Sequence, residues 1–297
     1  MPLRKISKVV IPAAGIGTRL LPTTKEQPKE MLPIFAGSNS YGLVVKPILQ
    51  VIFEQLYNFG LREFYFIVGR TKRAIEDHFT PDLEFVDKLS SKGKSKLVRD
   101  LKDFYRKLNS STLVWINQPS PKGFGHSVLL SKNLVGDNPF LVHAGDTVII
   151  SQKNKHLSNL LKRKFSDKDD CRLLVKRVKD PRHFGVIEGK KTRKGLIKVT
   201  GLEEKPVKPK SNLAIMPLYR FDPIIFKSLA KTKPDKRNEI QLTDGIKQIK
   251  KWNLGVTALE LSKSDIWIDV GSPETYWLAL SQTHQHFSRN KGKSMKI

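Results

Sequence analysis

Lys8-Val9-Val10-Ile11-Pro12-Ala13-Ala14-Gly15-Ile16-Gly17-Thr18-Arg19 reads as a short apolar strand that ends in a glycine-containing turn. Two glycines let a backbone pass close to a bulky anion, and their N–H groups can be aimed at phosphate oxygens. Arg19 adds a planar cation that forks onto phosphate. The third glycine of a dinucleotide fingerprint would fall at Leu20, so a nicotinamide site is disfavoured. Walker A also fails, because Lys88 and Phe287 stand where the first P-loop glycine of the two Gly-Lys-Ser triplets should be. By itself the segment favours an anion site, with a plain β-turn-α connection as the lesser alternative.

Outward from this stretch, strand and helix patterns alternate. Residues 46–58 have helical periodicity and stop at Gly60. Residues 63–68 read as a strand, 71–79 as a short helix, and 82–108 as a charged helical segment broken at 90–93. Residues 112–116 and 139–143 are further apolar strands, with a helix over about 125–133 between them. This rhythm predicts an α/β fold, a Rossmann-like doubly wound, mostly parallel sheet flanked by helices. The second half is richer in strands, at 172–178, 184–188, 196–202 and 213–221, then 256–261 and 266–270. Helices are expected at 223–230, 239–251 and 273–283. We expect one domain over 1–283 and a basic, flexible tail from 284 to 297.

Composition narrows the classes. A chain of 297 residues, with 39% hydrophobic side chains and dispersed Gly and Pro, is neither disordered nor of low complexity. No apolar run reaches the 18 residues of a membrane span, and the first residues lack the apolar core of a secretory signal. A single cysteine, Cys171, fits a reducing compartment, so a cytoplasmic protein is expected. The formal charge of +26 raises the prior for a polyanion partner. Residues 151–210 alone hold 19 Lys and Arg against 7 Asp and Glu, in runs such as 162–164 and 190–194. These runs lack interleaved aromatics for base stacking, and one cysteine cannot build a zinc finger, which argues against nucleic-acid binding as the main function.

Four further segments carry chemistry. Pro28-Lys29-Glu30-Met31-Leu32-Pro33 places a lysine between prolines, within reach of the same phosphates. Gln118 offers one donor face and one acceptor face to the edge of a pyrimidine, and Gly123 with Gly125 allows close approach to a flat base. Asp146 and Asp269 each follow an apolar strand, where open α/β sheets bind ligands, and Mg²⁺ bridging nucleotide phosphates needs one or two such carboxylates. Glu203-Glu204-Lys205-Pro206 pairs acid with base, suited to sugar hydroxyls and a phosphate; an ordinary surface ion pair reads the same way.

In this order and over residues 6–280, the segments resemble the sugar-1-phosphate nucleotidyltransferase superfamily, and most closely its bacterial-type UTP–glucose-1-phosphate uridylyltransferase branch. The Pro-Lys-Glu-Met-Leu form, the charged insertion over 82–110, Ser211-Asn212-Leu213-Ala214-Ile215 and Glu239-Ile240-Gln241-Leu242-Thr243-Asp244 carry that likeness. The resemblance implies a nucleotide-binding part over 1–150 and a sugar-phosphate part over 151–283. Ala13, Ala14 and Gly15 would lie near base and ribose, Gly17, Thr18 and Arg19 near the phosphates, and Lys29 at the reacting end. Gln118 and Gly123 would read the uracil edge, and Asp146 with Asp269 would hold Mg²⁺. Gly185, Glu204 and Asn212 would line the sugar pocket, with Lys205 on its phosphate. The activity implied is transfer of UMP from UTP to glucose 1-phosphate, with Arg19, Lys29, Asp146 and Lys205 as the catalytic set, in a homodimer or homotetramer.

Pro119 and Pro121 stiffen the base-reading loop, and Trp267-Ile268-Asp269-Val270-Gly271-Ser272-Pro273-Glu274 is closer to the thymidylyl branch. The reaction with dTTP or another hexose 1-phosphate therefore stays open, since one methyl discriminates by only about 1–3 kcal/mol. A non-catalytic regulatory or nucleic-acid-binding protein is the more distant reading.

Overall fold

The computed structural model describes residues 6–38, 40–161, 169–193 and 195–289. The chain opens with β1 (Lys8–Pro12) and the glycine turn, then a hairpin of β2 (Pro33–Ser38) and β3 (Gly42–Pro47) that leads into α1 (Ile48–Phe59). β4 (Glu63–Val68), α2 (Arg73–His78), α3 (Leu83–Ser91), α4 (Ser95–Asn109) and β5 (Thr112–Asn117) continue the alternation. Next come α5 (Phe124–Leu130), α6 (Lys132–Val135), β6 (Phe140–His143), β7 (Thr147–Ile150) and α7 (Lys155–Leu161). The second half runs β8 (Cys171–Arg177), β9 (Gly185–Lys191), β10 (Ile197–Glu204), β11 (Leu213–Phe221), α8 (Ile224–Lys231) and α9 (Leu242–Lys251). β12 (Val256–Glu260), β13 (Ile266–Asp269) and α10 (Pro273–Arg289) complete it.

Nine strands form one sheet in the order β5-β4-β1-β6-β11-β8-β12-β10-β9. β5, β4, β1 and β6 are parallel neighbours, and so are β12 and β8; β11 and β10 run against the rest. The sheet is thus mixed, with seven of nine strands in one direction, as the βα rhythm predicts. Along β1, Val9 and Ile11 face one core while Val10 faces the other, the period-2 alternation of a strand buried on both sides. Leu49, Ile52, Phe53 and Leu56 of α1 cover the first face, with Phe104 of α4. Val128 of α5, Ile225 and Leu229 of α8 and Ile246 and Ile249 of α9 cover the second.

From β1 the chain moves outward to β4 and β5, then returns to place β6 on the other side of β1. The strand order reverses between β1 and β6, and the crevice outside their carboxyl ends is where such sheets bind ligands. A separate two-stranded ribbon, β7 with β13, rises beside that crevice and pairs Asp269 with Thr147.

Three departures from the sequence reading have local causes. α1 starts at Ile48, because Lys46 and Pro47 finish the β2–β3 hairpin, which the sequence reading missed. It ends as expected, with Gly60 in the left-handed conformation at φ 109°. The expected flexible tail is wrong over residues 284–289, where α10 continues to Arg289: Phe287 is buried and the His284 ring packs edge-on to Phe35 of the hairpin at 4.9 Å. Residues 290–297, the run 162–164 and Lys194 lie outside the described residues. Among the described residues, no helix is long and apolar enough to cross a membrane.

Candidate active site

The crevice at the β1/β6 reversal is an open cleft of about 560 Å³. Ala14, Gly15, Gly17, Thr18, Lys29, Gln118, Gly123, Asp146 and Asp269 all line it, from five separate stretches of chain. Two expected members stand back from its wall. Ala13 is buried, its N–H spent on the Ile67 carbonyl at 2.8 Å. Arg19 reaches instead to Gly271, where a Cβ would come within 2.6 Å of its Nη2. The turn is held by Gly17 at φ 74°, a left-handed conformation that favours glycine, and Thr24 Oγ1 donates to the Gly17 carbonyl at 2.8 Å.

Lys29 lies beside Gly15, where a Cβ would meet its Cε in ordinary contact at 3.5 Å, and its Nζ contacts Asp146. Gly145 lets the end of β6 close on β1: its N–H donates to the Pro12 carbonyl at 3.0 Å, and a Cβ there would sit 3.3 Å from Glu30. Thr147 Oγ1 stands 3.3 Å from Asp146 Oδ1 and 3.2 Å from Asp269 Oδ1, between the two carboxylates. Burial pulls the Lys29 ammonium down, but the charges of Asp146, Glu30 and Asp269 outweigh it and hold it well above the ordinary lysine value. Burial likewise raises Asp146, and the Lys29 charge and hydrogen bond overcome that, holding its carboxyl below the usual range. Asp269 goes the other way. Burial and then the Asp146 charge push it up to about 6, against weaker opposition from Lys29, Thr147 and Arg19.

On the opposite wall, Gln118 is buried and its amide is fixed from both ends. Ser127 Oγ donates to Oε1 at 2.9 Å, and Nε2 donates to His126 Nδ1 at 2.8 Å. Burial, then the Lys122 charge, keeps His126 below the ordinary imidazole value, so at neutral pH its nitrogen can accept. Gly123, at φ 93°, is required for a reason the sequence reading did not supply: a Cβ there would lie 2.7 Å from the Ile240 carbonyl. That carbonyl also accepts from Gly125 N at 2.9 Å. The close approach at these glycines is by backbone from the segment before α9.

The four residues expected around a sugar phosphate lie outside this cleft and are only partly gathered. Gly185 and Glu204 are register partners on β9 and β10; Glu204 Oε2 accepts from Thr243 Oγ1 at 2.7 Å. Lys205, at φ 43° and 45% exposed, has Nζ 3.4 Å from Glu204 Oε1. Asn212 is not brought to them: its Oδ1 accepts from Arg177 Nη1 at 2.8 Å, in a group with Glu260. Segment 239–243 ties the two regions together, with Ile240 over Gly123 and Thr243 on Glu204. The sequence reading also missed the pair Glu30–Lys72, 1% and 4% exposed and 2.9 Å apart, which anchors the Lys29 turn to the loop after β4.

Asp146 and Asp269 fit a hard divalent cation. Among the described residues no group of three or more His, Cys, Asp or Glu could cage a metal. Two carboxylates beside a hydroxyl suit Mg²⁺, which retains waters and takes its remaining ligands from substrate phosphates.

Residues 8–286 match the nucleotidyl transferase family, nearly the whole length of the chain. The chain belongs to that family. Among relatives of this nucleotidyl transferase, the UTP–glucose-1-phosphate uridylyltransferase of Bacillus subtilis (strain 168) is 36% identical over 251 residues, covering 83% of this chain and 81% of the relative. The Pseudomonas aeruginosa protein of the same name is 33% identical over 287 residues, 95% and 97% of the two chains. A solved UDP-glucose pyrophosphorylase complexed with UDP-glucose superposes with a TM-score of 0.77 at 30% identity, over 95% of this chain and 99% of that one.

Proposed function

We propose that this nucleotidyl transferase moves UMP from UTP to glucose 1-phosphate, giving UDP-glucose and pyrophosphate. The observation that carries the proposal is the convergence of the glycine turn, Lys29, Asp146, Asp269 and Gln118 on one cleft at the β1/β6 reversal. The names of the relatives supply the substrates. A phosphate oxygen of the sugar phosphate attacks the α-phosphorus of UTP; one P–O bond forms as the bond to pyrophosphate breaks. The nucleophile is already anionic at neutral pH, so the chain supplies no general base and no covalent nucleophile. Its residues position and neutralise charge.

The turn over 14–18 and Lys29 hold the triphosphate, with Arg19 approaching from the Gly271 side. Gln118, with its amide pinned by Ser127 and His126, presents an edge to uracil. Gly185, Glu204, Thr243 and Lys205 receive the hexose phosphate in the strand-rich part after residue 151. Asp146 and Asp269 would hold Mg²⁺, which when bound screens the negative charge shared by the phosphates. A homodimer or homotetramer is the assembly expected.

The test is pyrophosphate release with Mg²⁺ across UTP, dTTP, CTP, GTP and ATP, each with the 1-phosphates of glucose, galactose and N-acetylglucosamine. The highest kcat/KM for UTP with glucose 1-phosphate, abolished by chelation, supports the proposal. A higher value for dTTP or another sugar retains the chemistry and replaces the substrate.

A further inference from the structure

A second cleft, of about 700 Å³, lies on another side of the molecule, between the β2–β3 hairpin, α1, α4 and the turn after β7. Part of its wall is the charged insertion that the nucleotidyl transfer site leaves unused. Deep in it, Lys46 and Lys107 are neutralised: Glu54 takes Lys46 at 2.7 Å, and Asp103 takes Lys107 at 2.8 Å. Three further cations at its wall keep unspent donors among the described residues. Arg62 stacks 3.8 Å above the Tyr57 ring and uses only Nη1, on the carbonyls of Tyr57 and Leu61. Arg106 spends Nη2 on Asp103 at 2.6 Å and also engages the Tyr57 side chain, which leaves part of its five-donor fork open. Lys153 lines the cleft, and its side chain makes no hydrogen bond or ion pair with a described residue.

The turn that presents Lys153 is strained. Lys153 and Asn154 both have φ of 51°, two consecutive non-glycine residues in the left-handed region. Gln55 braces the turn: its Nε2 donates to the Ile149 carbonyl at 2.8 Å and to Asn154 Oδ1 at 2.9 Å. Such a conformation persists only where surrounding contacts impose it, and here they hold a free ammonium at a cleft that already carries two forked guanidinium groups. β7 runs from this turn directly to Asp146, so the second cleft and the carboxylates sit at opposite ends of one short ribbon.

We propose that this second cleft is a binding site for a phosphate monoester of a small metabolite. Five cations (Lys46, Arg62, Arg106, Lys107 and Lys153) face three acids in the lining, Glu54, Asp103 and the Asp100 that the Ser38 hydroxyl holds; the surplus positive charge and the open donors of Arg62, Arg106 and Lys153 match a dianionic phosphate, with the Arg62–Tyr57 stack as a flat wall for the rest of the molecule.

Calorimetric titration of the full-length protein with inorganic phosphate tests this, on the wild type and on Arg106→Ala, Lys153→Asn and Lys29→Met. Asparagine tolerates the left-handed conformation, so the second variant keeps the turn. A binding event that survives Lys29→Met and weakens about tenfold or more in Arg106→Ala and in Lys153→Asn, with unchanged melting curves, is the expected result. Phosphate binding lost only in Lys29→Met, or no binding by the wild type, overturns the proposal.

Discussion

Replacing Asp269 by Asn should make the protein more stable at neutral pH without divalent cations while destroying its activity. The carboxyl is held at about 6, against an ordinary 3.8, by burial and by the Asp146 charge. In the unfolded chain it gives up its proton near 4; in the folded protein it keeps it until about 6. Between those values the folded state binds more protons, so this group's contribution to stability is full below about 4 and is lost as pH rises to 6. At pH 7 the ionised carboxylate costs the fold on the order of 2–3 kcal/mol. Asn carries no charge, keeps an oxygen for Thr147 Oγ1, and removes that cost. Urea denaturation in chelator at pH 7 should show Asp269→Asn more stable than wild type by about that amount, and the gap should shrink to about 1 kcal/mol at pH 4.5. Added Mg²⁺ should raise the wild type by mass action and leave the variant unmoved. A variant no more stable at pH 7, or one with the same gap at both pH values, would refute the reasoning.

Asp146→Asn should lower kcat by about 10²–10³ or more at saturating Mg²⁺, and unchanged turnover removes Asp146 from the metal site. Lys205→Ala should raise KM for glucose 1-phosphate more than KM for UTP; the reverse pattern means that the two pockets are assigned the wrong way round. Lys72→Met strands Glu30 as a buried, unpaired acid and should cost about 3–5 kcal/mol in urea denaturation, with Glu30→Leu in the same chain restoring much of it. Gly123→Ala forces a Cβ against the Ile240 carbonyl at a positive φ and should lower stability by more than about 1 kcal/mol, read from the melting temperature.

What the sequence made legible were the elements with strong local patterns. Residues 9–12, 64–68 and 213–219 are continuous apolar runs, and each lies in a strand of the central sheet. The β2–β3 hairpin escaped because its apolar pattern is interrupted by Gly37, Ser38 and Gly42, and its last residues blend into the helical pattern of α1. With the hairpin unseen, nothing in the polar composition of residues 284–289 revealed that α10 would find a partner there.

The candidate site was legible where one side chain carries the chemistry on a short segment, as at Lys29, Gln118, Asp146 and Asp269. It was illegible where meaning depends on a distant partner. Glu30 and Lys72 are 42 positions apart, and no local pattern marks a buried ion pair. Gly123 reads as space for a base, yet Ile240 fills the space beside it. Asn212 has the right chemistry for a sugar hydroxyl, but Arg177 takes its oxygen.

The most direct test of the central claim is ³¹P NMR of the full-length protein with UTP, glucose 1-phosphate and Mg²⁺. UDP-glucose and pyrophosphate should appear in equal amounts, and only when all three are present. Pyrophosphate formed without the sugar phosphate, or no change in the UTP resonances with folded protein, contradicts it.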